Sequence, residues 1–127
     1  MGALTAFGRT AVINTFFRPA SAGTMTTAYL ALTTAAPVST DTGDTIIEPV
    51  AASYQRVGYP LGAAYWTLSG PGQVINAQAV TWSTPTDDWG EVIGWALCTT
   101  STSGMVLAFG RLRRSSTIQA GMRLKVP

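Results

Sequence analysis

The stretch Thr84-Pro85-Thr86-Asp87-Asp88-Trp89-Gly90-Glu91-Val92-Ile93-Gly94-Trp95-Ala96-Leu97-Cys98 holds three of the chain's six carboxylates and two of its four tryptophans. Three acids beside two indoles suit either a catalytic cleft or a tight turn feeding a buried strand. The residue order favours the turn: Pro85 presets φ, and the side chains of Asp87 and Asp88 can accept bonds from nearby backbone amides. After Gly90 the chain alternates, with Val92, Gly94, Ala96 and Cys98 on one face and Ile93, Trp95 and Leu97 on the other. That pattern predicts a central strand with small residues toward one layer and large ones toward the core. An acid–base pair of the glycoside-cleaving kind needs carboxylates about 5 to 9.5 Å apart across a sugar ring. Adjacent aspartates on extended chain point apart instead.

The same style of sequence continues in both directions. From Thr24 onward, short β-rich runs are separated by Gly, Pro, Asp and Ser clusters. Candidate strands are residues 26–33, 45–48, 54–58, 73–77, 79–83, 91–98, 105–113 and 122–126, with Gly70-Pro71-Gly72 as a loop tip. Seven or eight such strands predict an all-β fold, a single β-sandwich of jelly-roll or immunoglobulin-like type over residues 24–127. Residues 1–23 are expected to form an N-terminal arm, helical or extended. At helical spacing Ala3, Leu4, Phe7 and Ala11 share one side, while Ile13, Phe16 and Phe17 project about 180° away. A helix apolar in two directions needs cover on two sides, and a neighbouring subunit would supply the second. Arg18-Pro19 marks where a helix must stop.

Composition narrows the function classes. At 127 residues the chain suits one domain. Its charged share of 11% is under half the usual figure of about 25%, so little like-charge repulsion opposes packing of many copies. Histidine is absent, which removes the commonest general base and the commonest metal ligand. Catalytic motifs are missing too: there is no nucleophile elbow, phosphate loop or dinucleotide fingerprint. Neither Asp41-Thr42-Gly43-Asp44 nor Asp87-Asp88 has the ligand spacing of a calcium loop. The expectation is therefore a non-enzyme without cofactor or metal. Cys98, single in the chain, reads as a small buried hydrophobe. Residues 1–17 have neither a basic leader nor an unbroken apolar run, so no signal peptide or membrane span is expected.

Charge is unevenly placed. Five of the eight cations, Arg111, Arg113, Arg114, Arg123 and Lys125, fall in the last seventeen positions. On a strand Arg111 and Arg113 share a face with Phe109, a geometry that single-stranded nucleic acid could use. A net charge of +2 is weak for that purpose, and pairing with a protein partner is the more ordinary role of surface arginine. The four tryptophans raise a third class, a carbohydrate-binding module, with Trp66 and Trp89 as the surface platforms and Trp82 and Trp95 in the core.

Three runs carry a family likeness. Tyr29-Leu30-Ala31-Leu32-Thr33-Thr34-Ala35-Ala36-Pro37 resembles the opening strand of a group of small structural proteins of tailed bacteriophages, and Tyr54-Gln55-Arg56 resembles the Tyr-x-Arg of that group's next strand. Val80-Thr81-Trp82-Ser83 followed by Trp89 through Leu97 resembles its apolar strand, Trp-Gly turn and core strand. Members often carry a histidine where this chain has Thr33 and an aspartate where it has Cys98. The resemblance implies a virion component, assembled in the bacterial host and contacting other virion proteins and further copies of itself. Head decoration in many copies is the leading expectation, and a minor tail or tail-fibre role the alternative. Leu4, Phe7, Ile13, Phe16, Phe17, Arg111, Arg113 and Arg114 are the expected assembly contacts.

Overall fold

The computed structural model describes residues 2–18, 26–62, 64–70, 73–122 and 125–126. Among them the chain runs β1 (Gly2–Leu4), α1 (Ala6–Phe17), β2 (Thr27–Thr33), β3 (Val57–Pro60), β4 (Trp66–Gly70), β5 (Gln73–Asn76), β6 (Val80–Thr81), β7 (Gly90–Cys98), β8 (Val106–Ile118) and β9 (Lys125–Val126). The fold is all-β with a single N-terminal helix, as the strand-rich sequence implies. Five strands form one antiparallel sheet in the order β1-β8-β7-β2-β3, and β4-β5 and β6-β9 are two-stranded ribbons.

Antiparallel partners project to the same face, so register fixes which residues meet. Leu32 lies opposite Trp95, which lies opposite Gly110; Leu30 is opposite Leu97, which is opposite Ala108. On this face Leu30 and Leu32, with Val57 and Tyr59 of β3, join the larger core, together with Val80, Trp82, Trp89, Val92 and Ile118. The covering layer is made of ribbon residues and turns, Val80 of β6 and Trp66 of β4 among them, rather than a second broad sheet.

The other face is lined by small residues. Ala31, Ala96, Cys98, Val106 and Ile46 form the second core, with Tyr29 and Phe109 at its margin. Alanine and cysteine there let irregular chain approach the sheet closely. A Cβ added at Gly94 would stand 2.6 Å from Thr33 Oγ1 and 3.0 Å from Pro37 Cδ. By register the large side of β7, with Trp95 and Leu97, lies on the face of Leu30 and Leu32 as expected, but Ile93, Trp95 and Leu97 are only half-buried, whereas Val92, Gly94, Ala96 and Cys98 are buried. Burial pushes the Cys98 thiol pKa up to about 11, as desolvation of a thiolate requires.

Several boundaries move. Residues 45–48 form no strand; Ile46 plugs the second core from a turn, and Ile47 accepts a bond from the Thr34 amide at 2.8 Å. Strands β1 and β4 lie outside the predicted runs, and β8 continues five residues past the expected end at Arg113. Residues 19–23, the rest of the expected arm, lie outside the described residues, as do Pro71, Gly72 and Arg123.

Candidate docking surface

The acids of the Thr84–Cys98 stretch diverge. Asp87 accepts bonds from the Ala52 and Ser53 amides at 3.0 and 3.2 Å and from the Ser53 hydroxyl, whose oxygen in turn accepts from Trp89 Nε1 at 2.9 Å. The Ser53 hydroxyl and these amides hold the Asp87 carboxyl below its ordinary value. Asp88 turns the other way and accepts the Ala120 amide at 2.9 Å. Glu91 is exposed on β7, opposite Thr117. The two aspartates pin separate loops to one turn, and Gly90, at φ +82°, reverses the chain into β7. No group of three or more Asp, Glu, Cys or His side chains gathers as a metal site among the described residues.

Three of the four tryptophans are packed into the fold. Trp89 and Trp82 are buried, and Trp89 meets Tyr54 edge-on at 5.2 Å. Trp66 is half-buried, packs edge-on against Tyr59 at 5.1 Å and donates to the Pro60 carbonyl at 3.1 Å. Trp89, expected as a surface platform for a sugar, offers no open ring face.

Tyr54-Gln55-Arg56 forms an internal clamp. Arg56 holds Glu48 through Nε and Nη2 at 3.0 and 2.9 Å, and donates to the carbonyls of Gly43, Thr100 and Ser103 at 2.9 to 3.0 Å. The Tyr54 hydroxyl donates to Glu48 at 2.8 Å and accepts the Leu32 amide at 3.0 Å. Burial first, then the Glu48 charge, drives the Tyr54 pKa far upward. With a side chain only 3% exposed, Arg56 ties the loop between β2 and β3 to the loop between β7 and β8.

Among the described residues, helix α1 is left uncovered on its outer side. It begins at Thr5, whose buried side chain caps the helix by accepting the Gly8 amide at 3.0 Å and also donates to the Val106 carbonyl. The Thr5 amide donates to Leu107 at 3.0 Å, and the Ala6 amide to Ser39 at 3.0 Å. Gly8 lies against β8 so closely that a Cβ would stand 2.1 Å from the Leu107 carbonyl oxygen. At 100° per residue, Thr5, Gly8 and Ala11 make the packed side. Ala6, Thr10, Ile13 and Phe17 recur at i, i+4, i+7 and i+11 on the outer side, with Phe16 beside them. Ile13, Phe16 and Phe17 are 54%, 77% and 80% exposed. Leu4 belongs to β1 opposite Ala108 instead of to the helix, and Phe7 is partly open. The helix ends at Arg18, which leaves helical geometry (φ −139°, ψ 61°) while its amide still donates to the Asn14 carbonyl at 2.9 Å.

Arg111, Arg113 and Arg114 sit exposed on β8, far along the strand from where α1 is capped. Sequence reasoning found these residues and the outer helix residues; it missed Thr5 and Gly8, which set the attitude of the helix. An N-cap Thr followed by Gly at the third helical position was the available signal.

Residues 3–127 match the family model described as podophage GP4 fiber I protein gp80. The chain belongs to this family. It is a structural protein of small tailed-phage virions, and its family is one of fibre proteins, which associate with other virion components. The fibre description favours the tail-fibre alternative over head decoration. No curated protein matches the chain. No helix among the described residues is long and apolar enough to cross a membrane.

Proposed function

We propose that this chain is a non-enzymatic part of the tail-fibre apparatus, attached to neighbouring virion proteins by the outer face of α1. The observation that carries this reading is the exposure of Phe16 and Phe17 at the far end of a helix whose first turns are fixed to the sheet. Ile13, Phe16 and Phe17, on the outer side, together expose about 400 Å², at about 200 Å² per large apolar side chain. A patch of that size on a soluble protein usually marks an interaction site. Burying it contributes about 10 kcal/mol at 25 cal/mol per Å². Association costs about 4–15 kcal/mol, so the helix acts as an anchor that needs further contacts. Leu4, the arginines of β8 and neighbouring copies supply them.

The spacing of Ile13, Phe16 and Phe17 is that of a helix laid into an apolar groove. The test is complementation of a phage lacking the gene with the Phe16→Asp/Phe17→Asp variant. Both positions are exposed, so the thermal midpoint should hold while the variant disappears from purified particles. Gold-labelled antibody should mark tails in wild-type virions. Normal incorporation of the variant, or labelling confined to heads, would refute the proposal.

A further inference from the structure

The second surface lies at the edge of the sheet. Strand β8 runs from Val106 to Ile118, but β1 covers its outer side only from Ala108 to Gly110. Past Gly110 no described strand lies on that side. This open edge carries Arg111, Arg113, Arg114, Ser115, Ser116 and Thr117, all exposed. None of the three arginine side chains bonds or pairs with another described residue, whereas Arg56 is fully engaged inside the fold. The register explains their posture. Between Gly94↔Arg111 and Val92↔Ser116, β7 advances two residues while β8 advances five. The surplus bulges the strand and swings Arg113 and Arg114 out of the ladder.

A free edge is a template for another strand. Bulge and arginines together select which one. A second copy presenting the same edge would set guanidinium against guanidinium, a repulsive pairing. An extended segment bearing carboxylates meets both needs: its backbone pairs with open β8 groups, and each carboxylate is gripped by a planar guanidinium fork. We propose that the Arg111–Thr117 edge of β8 is a docking site for an acidic extended segment of another virion protein. This site is separate from α1 and stands whether or not the helix anchors the chain.

The test uses the isolated full chain and a short fluorescent peptide of alternating threonine and glutamate. Binding is expected by anisotropy, weakening steeply with added salt, with hydrogen-exchange protection gained at residues 111–117. Arg111→Glu/Arg113→Glu/Arg114→Glu should lower affinity by about tenfold or more. The milder R111Q/R113Q/R114Q variant, which keeps side-chain bulk, should also lose binding with its thermal midpoint intact. No binding of the glutamate peptide, equal binding of a lysine counterpart, protection falling on α1, or tighter binding of oligothymidylate would each overturn the assignment, the last in favour of nucleic acid. Because no virion is involved, failure here is distinct from failure of the anchor at Phe16 and Phe17.

Discussion

Replacing Gly8 with alanine sets helix propensity against packing. In an exposed helix the change stabilises by about 1 kcal/mol. Here the new Cβ would stand 2.1 Å from the Leu107 carbonyl oxygen, and ordinary contact begins at 3.4 Å, so the gap must open by 1.3 Å. Leu107 cannot yield, because its neighbour Ala108 is paired with β1 on one side and β7 on the other. The helix must lift instead. Lifting strains the Thr5 cap on the Gly8 amide and the Ala6–Ser39 bond, both 3.0 Å long. Overpacking of this kind costs about 1–3 kcal/mol and a weakened cap about 1 kcal/mol. Net of propensity, Gly8→Ala should destabilise by about 2 kcal/mol, or about 8 °C in midpoint at this chain length. Urea and thermal unfolding followed by tryptophan fluorescence measure it, since Trp82 and Trp89 are buried. Thr10→Ala, on the exposed side of the same helix, is the control and should gain a few tenths of a kcal/mol. A Gly8→Ala protein as stable as wild type, or more so, would show that α1 does not rest on β8 as described.

Removing the clamp should be costlier. Arg56→Ala leaves Glu48 without its cation and frees three loop carbonyls, an expected loss of about 3 kcal/mol in urea unfolding; a loss under about 1 kcal/mol would mean the loops hold without it. Asp87 predicts a pH dependence. Its folded-state pKa lies below the ordinary 3.8, so its contribution is complete above that value and fades as pH falls through the lowered one. Asp87→Asn should therefore be less stable than wild type at neutral pH and converge with it in acid; a gap constant from pH 7 to pH 2 would contradict the Ser53 bonds.

Much of this was legible in local sequence. Alternation from Val92 to Cys98 specifies a strand because side chains of extended backbone project with a period of two, whatever surrounds them. Pro85, Gly90 and Pro19 act through their own backbone restrictions, so the turn before β7 and the end of α1 follow from identity alone. The absence of histidine and of catalytic motifs is a property of composition. So is the low charge that suits dense assembly.

Other features depend on residues distant in the chain. Gly2–Leu4 is a strand because β8, more than one hundred residues away, offers it an edge; three residues have no periodicity from which to predict pairing. Residues 45–48 look β-competent, yet Ile46 is worth more as a plug over Ala31 and Ala96 than in a ladder. Which side of α1 would be bare was likewise undecided by spacing, since both sides are apolar. Gly8 settled it, because without a side chain it lets the helix rest against the Leu107 carbonyl of β8. Local sequence determined most of the strands, the turns and the lack of histidine and of known catalytic motifs, because those arise from each residue's own geometry and chemistry. Tertiary structure alone decided that Phe16 and Phe17 face outward and that the outer side of Arg111–Thr117 is met by no described strand, because exposure is set by what the rest of the fold leaves uncovered.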